Sequence, residues 1–397
     1  MALFDPDDPR TLRPWLLEHL CPFWRERLTD PAGGFFEALD ANGRPVHDQR
    51  RTTLVQARLT YVFSHAYMLG GDPAFREAAQ HGVAFLMRAS RAPDGGWFHA
   101  VSVDGNTLDN ARDTYDHAFV LFALAWYFRA TGDPTAIQLA DATWQFMQER
   151  LADSKHGGFL EEYAPAKPGM KLPRRQNPHM HLLEAMLALH TATGEKNWLR
   201  RATMLVDLFK RRFVDPQTGA LIEFFTEDWS VAPTADGALR EPGHQFEWVW
   251  LLHEYSRVAR DPGIIPYTER LFRFGASFGV EHGGAVPGAV FDGVAADGTL
   301  LADTKLLWPQ TEYIKAYVAR AEWLNDDMAR GGIAIQLGVI ARYFMRPDGA
   351  TWHNQLARDG TPLTGTTPAR VLYHLFLAVA EVDRLLVKAQ PTPSDKS

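Results

Sequence analysis

Polar side chains recur near the starts of strongly apolar stretches of this chain. They are Arg58 in VQAR, the run Tyr115-Asp116-His117, and Asn177, His179, His181 and Glu184 in NPHMHLLEA. His244 and Glu247 in PGHQFEW, Trp308, Gln310 and Glu312 in WPQTE, and His374 in VLYHLF complete the set. Burying such groups unpaired costs kcal/mol each, so their positions carry information. On a helix His244 and Glu247, like His181 and Glu184, stand i, i+3 and share a face, and Trp308 and Glu312 stand i, i+4. His179 and His181 are two apart and diverge, so only one of them can line a common cavity. HMH is therefore a poor zinc site. No HExxH or CxxC spacing occurs, nor a P-loop, nor a GxGxxG after a strand, so neither a metal nor a cofactor is expected.

Histidines beside carboxylates, without a metal, suit proton transfer near neutral pH. A pocket that also holds Arg, Glu, Gln and Trp suits a neutral polyhydroxyl ligand, whose hydroxyls need both donors and acceptors and whose ring can stack on an indole. Sugar isomerisation or epimerisation by paired histidines is one reading. Glycoside hydrolysis by two carboxylates, Glu247 and Glu312, is another, and a binding protein is a third. Because histidine is the commoner group, proton transfer is favoured. Several residues also have plainer readings: His179 as a capping or supporting group, Arg58 as the partner of a buried glutamate, Trp308 as core.

The elements that must position these residues follow from a repeat. Gly-marked turns recur about every 60 residues, at Gly33-Gly34, Gly95-Gly96, Gly157-Gly158, Gly219, Gly283-Gly284 and Gly349. Between them lie pairs of helical segments. One is amphipathic, as in residues 74–90 and 135–152; its companion is apolar nearly all round, as in 52–69 and 115–131. The connections Gly71-Asp72-Pro73 and Gly132-Asp133-Pro134 suit a cap followed by a first helical turn. A helix apolar on every face must be surrounded by protein. Six pairs therefore predict an all-α fold, an (α/α)6 barrel with six inner helices inside six outer ones; an open solenoid would not need such apolar inner members. Parallel inner helices would gather the polar groups at one end. The expected layout is one catalytic domain over residues 1–388 and a polar tail over 389–397.

The chain has 397 residues, 41 Lys plus Arg against 48 Asp plus Glu, a formal charge of −7, and one cysteine, Cys21. That acidity argues against nucleic acid or an anionic membrane as a partner, and a lone cysteine allows no internal disulfide. The longest apolar run, 118–128, is short of the roughly 20 residues of a membrane span. MALFDPDDPR lacks the basic and apolar regions of a signal peptide. A cytoplasmic protein, monomer or homodimer, is expected.

VQAR, NPHMHLLEA, PGHQFEWVWLL, LLWPQTE and the late His374, in this order along almost the whole chain, resemble the N-acylglucosamine 2-epimerase family. The resemblance implies an (α/α)6 barrel and metal-independent acid/base catalysis by two histidines, which fall on His244 and His374. It implies substrate contacts at Arg58, His181, Glu247, Trp308 and Glu312; Asn177, Asp116 and Gln310 join them as candidates. Within the family, GHxxEW together with VQAR is most similar to members acting on free mannose. That similarity implies interconversion of D-mannose and D-fructose through a cis-enediolate, with 2-epimerisation of mannose, cellobiose or an N-acylglucosamine as the alternative outcome. His374 is expected to take the C2 proton, and His244, oriented by Glu247, to serve ring opening.

Overall fold

Local chemistry sets the helix ends. Thr52 and Asp113 accept backbone N–H bonds at the starts of their helices, as helix-capping oxygens do. Gly71, Gly132 and Gly194 close three helices in the left-handed conformation, the usual place for glycine. Asp72 caps Ala74, with Pro73 in the first turn, as the sequence leads one to expect.

In the computed structural model, residues 4–164, 173–324 and 326–389 are described. Twelve of their helices form two rings. The outer members are α1 (Cys21–Leu28), α3 (Pro73–Phe85), α5 (Thr135–Arg150), α7 (Lys196–Leu208), α9 (Ile265–Phe278) and α11 (Asp327–Val339). The inner members are α2 (Thr53–Gly70), α4 (Thr114–Thr131), α6 (Asn177–Thr193), α8 (Pro242–Ala259), α10 (Leu307–Trp323) and α12 (Leu372–Ala389). Each inner helix packs on the next around the ring, α12 returns to α2, and α2 through α10 each pack on the outer helix that follows. The turn Leu12–Pro14, ahead of α1, packs on α12 and closes the outer ring. This is the (α/α)6 barrel. No described helix is long and apolar enough to cross a membrane.

A rim of short antiparallel strand pairs stands over the starts of the inner helices. Strand Arg50–Thr52, just before α2, pairs with Ala100–Ser102 after the second Gly turn. The pattern repeats around the ring and ends where Thr367–Pro368, before α12, pairs with Ala38–Leu39 after the first Gly turn. Five of the six Gly turns are clipped to an inner helix by one side chain. Gln56, Gln245 and Gln310 exchange both amide bonds with the backbone of Phe35, Leu221 and Val290. His117 and His179 accept from Trp97 N and Phe159 N. Two of the turns need glycine because this contact is close: a Cβ on Gly34 (φ +71°) would lie 2.7 Å from Gln56 Oε1, and one on Gly158 (φ +72°) 2.8 Å from His179 Nε2. Buried apolar side chains from Phe4 to Leu385 form one continuous cluster between the rings. The last helix runs to Ala389, one residue past the expected boundary; residues 390–397 of the expected tail lie outside the described residues.

Candidate active site

The inner helices all begin beneath the rim, and their opening turns enclose a cavity of about 290 Å³. Arg58, Asn177, His181, His244, Glu247, Trp308 and His374 line it, as do Tyr115, Arg175, Glu241, Asn354 and Arg370. Helix register alone does not single out the last four.

Three imidazoles reach this cavity, each anchored through Nδ1 by a buried carboxylate. His181 Nδ1 is 3.1 Å from Glu184, His244 Nδ1 is 2.9 Å from Glu223, and His374 Nδ1 is 2.8 Å from Glu312. With Nδ1 engaged, Nε2 is the nitrogen each ring has left for a ligand. Trp308 packs against two of them, its ring centroid 4.9 Å from that of His244 and 5.7 Å from that of His374. Gly243 permits this: a Cβ there would meet the indole at 2.6 Å, which gives the Gly of PGH a steric reason. Arg58 donates to Tyr115 Oη (2.7 Å) and to the Arg370 carbonyl (2.9 Å), with its guanidinium 4.1 Å over the Phe119 ring. Among the described residues it pairs with no glutamate.

Two histidines are driven in opposite directions. Burial alone would lower His244, but Glu223 and Glu241 outweigh it and push the imidazole up to about 10. Burial and the cations Arg58 and Lys315 hold His374 well below the ordinary 6.5. Near neutral pH one ring is therefore an imidazolium and its neighbour across Trp308 a neutral base, the division expected of an acid/base pair. Beneath them Lys315, wholly buried, places Nζ 2.6 Å from Glu312 and 3.9 Å from Glu247. Burial and Glu247 push Glu312 upward. Burial would lower Lys315, yet Glu312 and Glu247 raise it, so an ammonium faces Glu312.

Several expected residues lie elsewhere. Gln310 does not line the cavity, because both ends of its amide bond Val290. Asp116 turns to His99 Nδ1 at 2.7 Å. Glu312 sits behind His374, fully buried, and is not in the cavity wall. Glu247 does not orient His244; Glu223 does, while Glu247 lies 4.0 Å from His181 Nε2. His179 is the clip already described. Gly275 to Gly279 have the spacing of a nucleophile elbow, but they end outer helix α9 with Ser277 exposed.

Among the described residues, two trios of possible metal donors come within 4.8 Å: Glu223, Glu241 and His244, and Glu247, Glu312 and His374. Resident cations already meet these carboxylates, the His244 imidazolium in the first trio and the Lys315 ammonium in the second. The donor chemistry fits protons better than a divalent ion.

An inner ring of helices with three carboxylate-anchored histidines at its mouth defines a class that comparison with known proteins identifies. Residues 34–378 match the model of N-acylglucosamine 2-epimerase (GlcNAc 2-epimerase). The chain belongs to that family and is an enzyme of the sugar isomerase and epimerase class. It is 32% identical to a mannose-6-phosphate isomerase of Rhizobium meliloti (strain 1021), over 94% of this chain and 96% of that one. It is 30% identical to a D-mannose isomerase of Thermobifida fusca, over 86% and 87%. A crystal structure of D-mannose isomerase superposes with a TM-score of 0.86 at 22% identity, covering 94% of this chain and 98% of that one, a likeness of fold.

Proposed function

We propose that the enzyme interconverts D-mannose and D-fructose through a cis-enediolate, with His374 as base and His244 as acid and no metal or cofactor. The observation that carries this reading is the opposite bias of the two histidines flanking Trp308. The sugar ring packs on Trp308, an indole suited to a CH-rich face. Arg58, Tyr115 and Asn177 hold hydroxyls, and Glu247 accepts from one. The His244 imidazolium gives a proton to the ring oxygen and takes the one leaving O1–H as the chain form opens, so it is an imidazolium again. His374 Nε2 then takes the C2 proton, and His244 protonates O1 and accepts from O2. Return of the first proton from His374 to C1 gives the ketose and restores both rings, with no net proton gained or lost. Excluding water from a cavity of this size strengthens each of these contacts.

A second substrate reading has its own observation. Arg370 stands exposed at the mouth with no carboxylate partner among the described residues, and one relative is named a mannose-6-phosphate isomerase. A 6-phosphate placed outward would meet Arg370, although Glu241 and Glu247 in the wall oppose an anion deeper in. Incubation with mannose, fructose, glucose, cellobiose and mannose 6-phosphate, with products separated by chromatography, decides among these. Fructose from mannose is the expected main conversion. Exclusive turnover of the phosphate, or of cellobiose, contradicts the free-mannose reading.

A further inference from the structure

The inner helices finish around a second cavity, at the opposite end of the barrel, of about 500 Å³. Phe122, Trp126 and Trp250 give it flat walls, with Leu187, Leu251 and Leu377 between them. Each of its carboxylates already holds a donor. Glu254 holds Arg257 at 2.6 Å, Asp383 holds Arg13 at 2.7 Å, and Glu381 holds Arg384 at 2.8 Å and the Trp250 indole N–H at 3.0 Å. Glu184, at the inner limit, accepts from Tyr373 at 2.6 Å.

Among its cationic and imidazole donors, two are not fully engaged. Arg129 lies over the Trp126 ring at 4.1 Å and has no carboxylate or hydrogen-bond partner among the described residues. Arg257 and Lys388 also sit in final turns, where cations offset the helix dipole, but each has a carboxylate as well. His65 stacks on Trp126, centroids 4.0 Å apart. Its Nδ1 faces Tyr61 Oη at 3.1 Å, the one hydrogen-bond partner of that wholly buried hydroxyl among the described residues. In the tautomer where the hydroxyl donates to Nδ1, Nε2 carries the remaining hydrogen. Burial keeps this ring neutral, its titration lowered to about 3.

We propose that this cavity binds a small organic anion with a flat apolar body, a carboxylate of the arylalkanoate kind. The carboxylate supplies the acceptors that Arg129 and His65 Nε2–H lack, and the aryl group lies among Trp126, Phe122 and Trp250. A sugar is disfavoured because its hydroxyls also need acceptors, and each carboxylate here already holds a donor. This is the reverse of the upper cavity, where free carboxylates and donors stand together.

Calorimetric titration tests the proposal with phenylpropionate, its neutral analogue phenylpropanamide, and the intact enzyme as wild type, Arg129→Gln and Arg129→Lys. Saturable one-to-one binding of phenylpropionate is expected, at least about tenfold tighter than the amide, a charge-assisted margin. Arg129→Gln should abolish that margin and Arg129→Lys recover part of it. Sugar turnover in Arg129→Gln should match wild type, and mannose should not displace the acid. No saturable binding to wild type, equal affinity for acid and amide, unchanged binding in Arg129→Gln, or displacement by mannose would each overturn the assignment.

Discussion

His374 Nδ1 lies 2.8 Å from a Glu312 oxygen that has no solvent exposure, and this contact decides which nitrogen of the ring a substrate meets. Glu312 is in turn pinned by Lys315 at 2.6 Å. His374 is thus the outermost member of a buried Lys–Glu–His series.

The first prediction removes the two proton carriers. General acid–base groups contribute about 10²–10⁴-fold each. His374→Asn and His244→Asn should each lose turnover on that scale while keeping wild-type circular dichroism. Retention of more than about a tenth of wild-type kcat by either variant would remove that residue from the chemistry.

The pH dependence has a definite sign. His244 must keep its proton, so kcat/KM should be sustained upward from neutrality and fall as pH rises through about 10, where His244 loses that proton. His374 must stay neutral, so activity should persist as pH falls past 6.5 and decline only well below it, where His374 gains a proton. A bell centred on 6.5 would mean that neither ring is biased as described.

Glu223→Gln isolates positioning from chemistry. The amide can still meet His244 Nδ1 but no longer raises its pKa, so the alkaline limb should move toward neutral pH. Loss of one charged hydrogen bond costs roughly 1.5–3 kcal/mol, or about ten- to a hundredfold, expected mainly in kcat. A fall in kcat with an unmoved alkaline limb would reduce Glu223 to a packing role.

Chelation tests whether protons alone suffice. With Lys315 and His244 supplying positive charge to both donor trios, turnover should survive prolonged dialysis against EDTA. Activity that disappears and returns only with a stoichiometric divalent ion would place a metal in the mechanism.

The barrel was legible because its repeat is written in glycines and apolar helices, both of which are local signals. Seven of the ten expected site residues line the cavity, since their positions follow from helix register. Gln310 shows why register alone misleads. It stands two residues before Glu312, about 200° around the helix, in the clip position that Gln56, His179 and Gln245 also fill. Polarity on an apolar helix cannot tell the cavity from the rim, but comparing the repeats could have separated them. Glu223 was missed because its partner comes from another element, although it occupies the same place after its Gly turn as Glu37 and Glu161. Lys315 carried a clear signal, a lysine deep in an apolar helix three residues after Glu312. Its meaning depended on how inner helices face one another, which no single helix records.

The central claim is that His374 moves one proton between C2 and C1, and solvent exchange tests it most directly. Turnover of mannose in D2O, followed by NMR at early times, should yield fructose as the dominant product, with any solvent deuterium in it at C1. Glucose labelled at C2 appearing first, with fructose only a trace, would show that the proton returns to the opposite face of C2 and that the enzyme is a 2-epimerase.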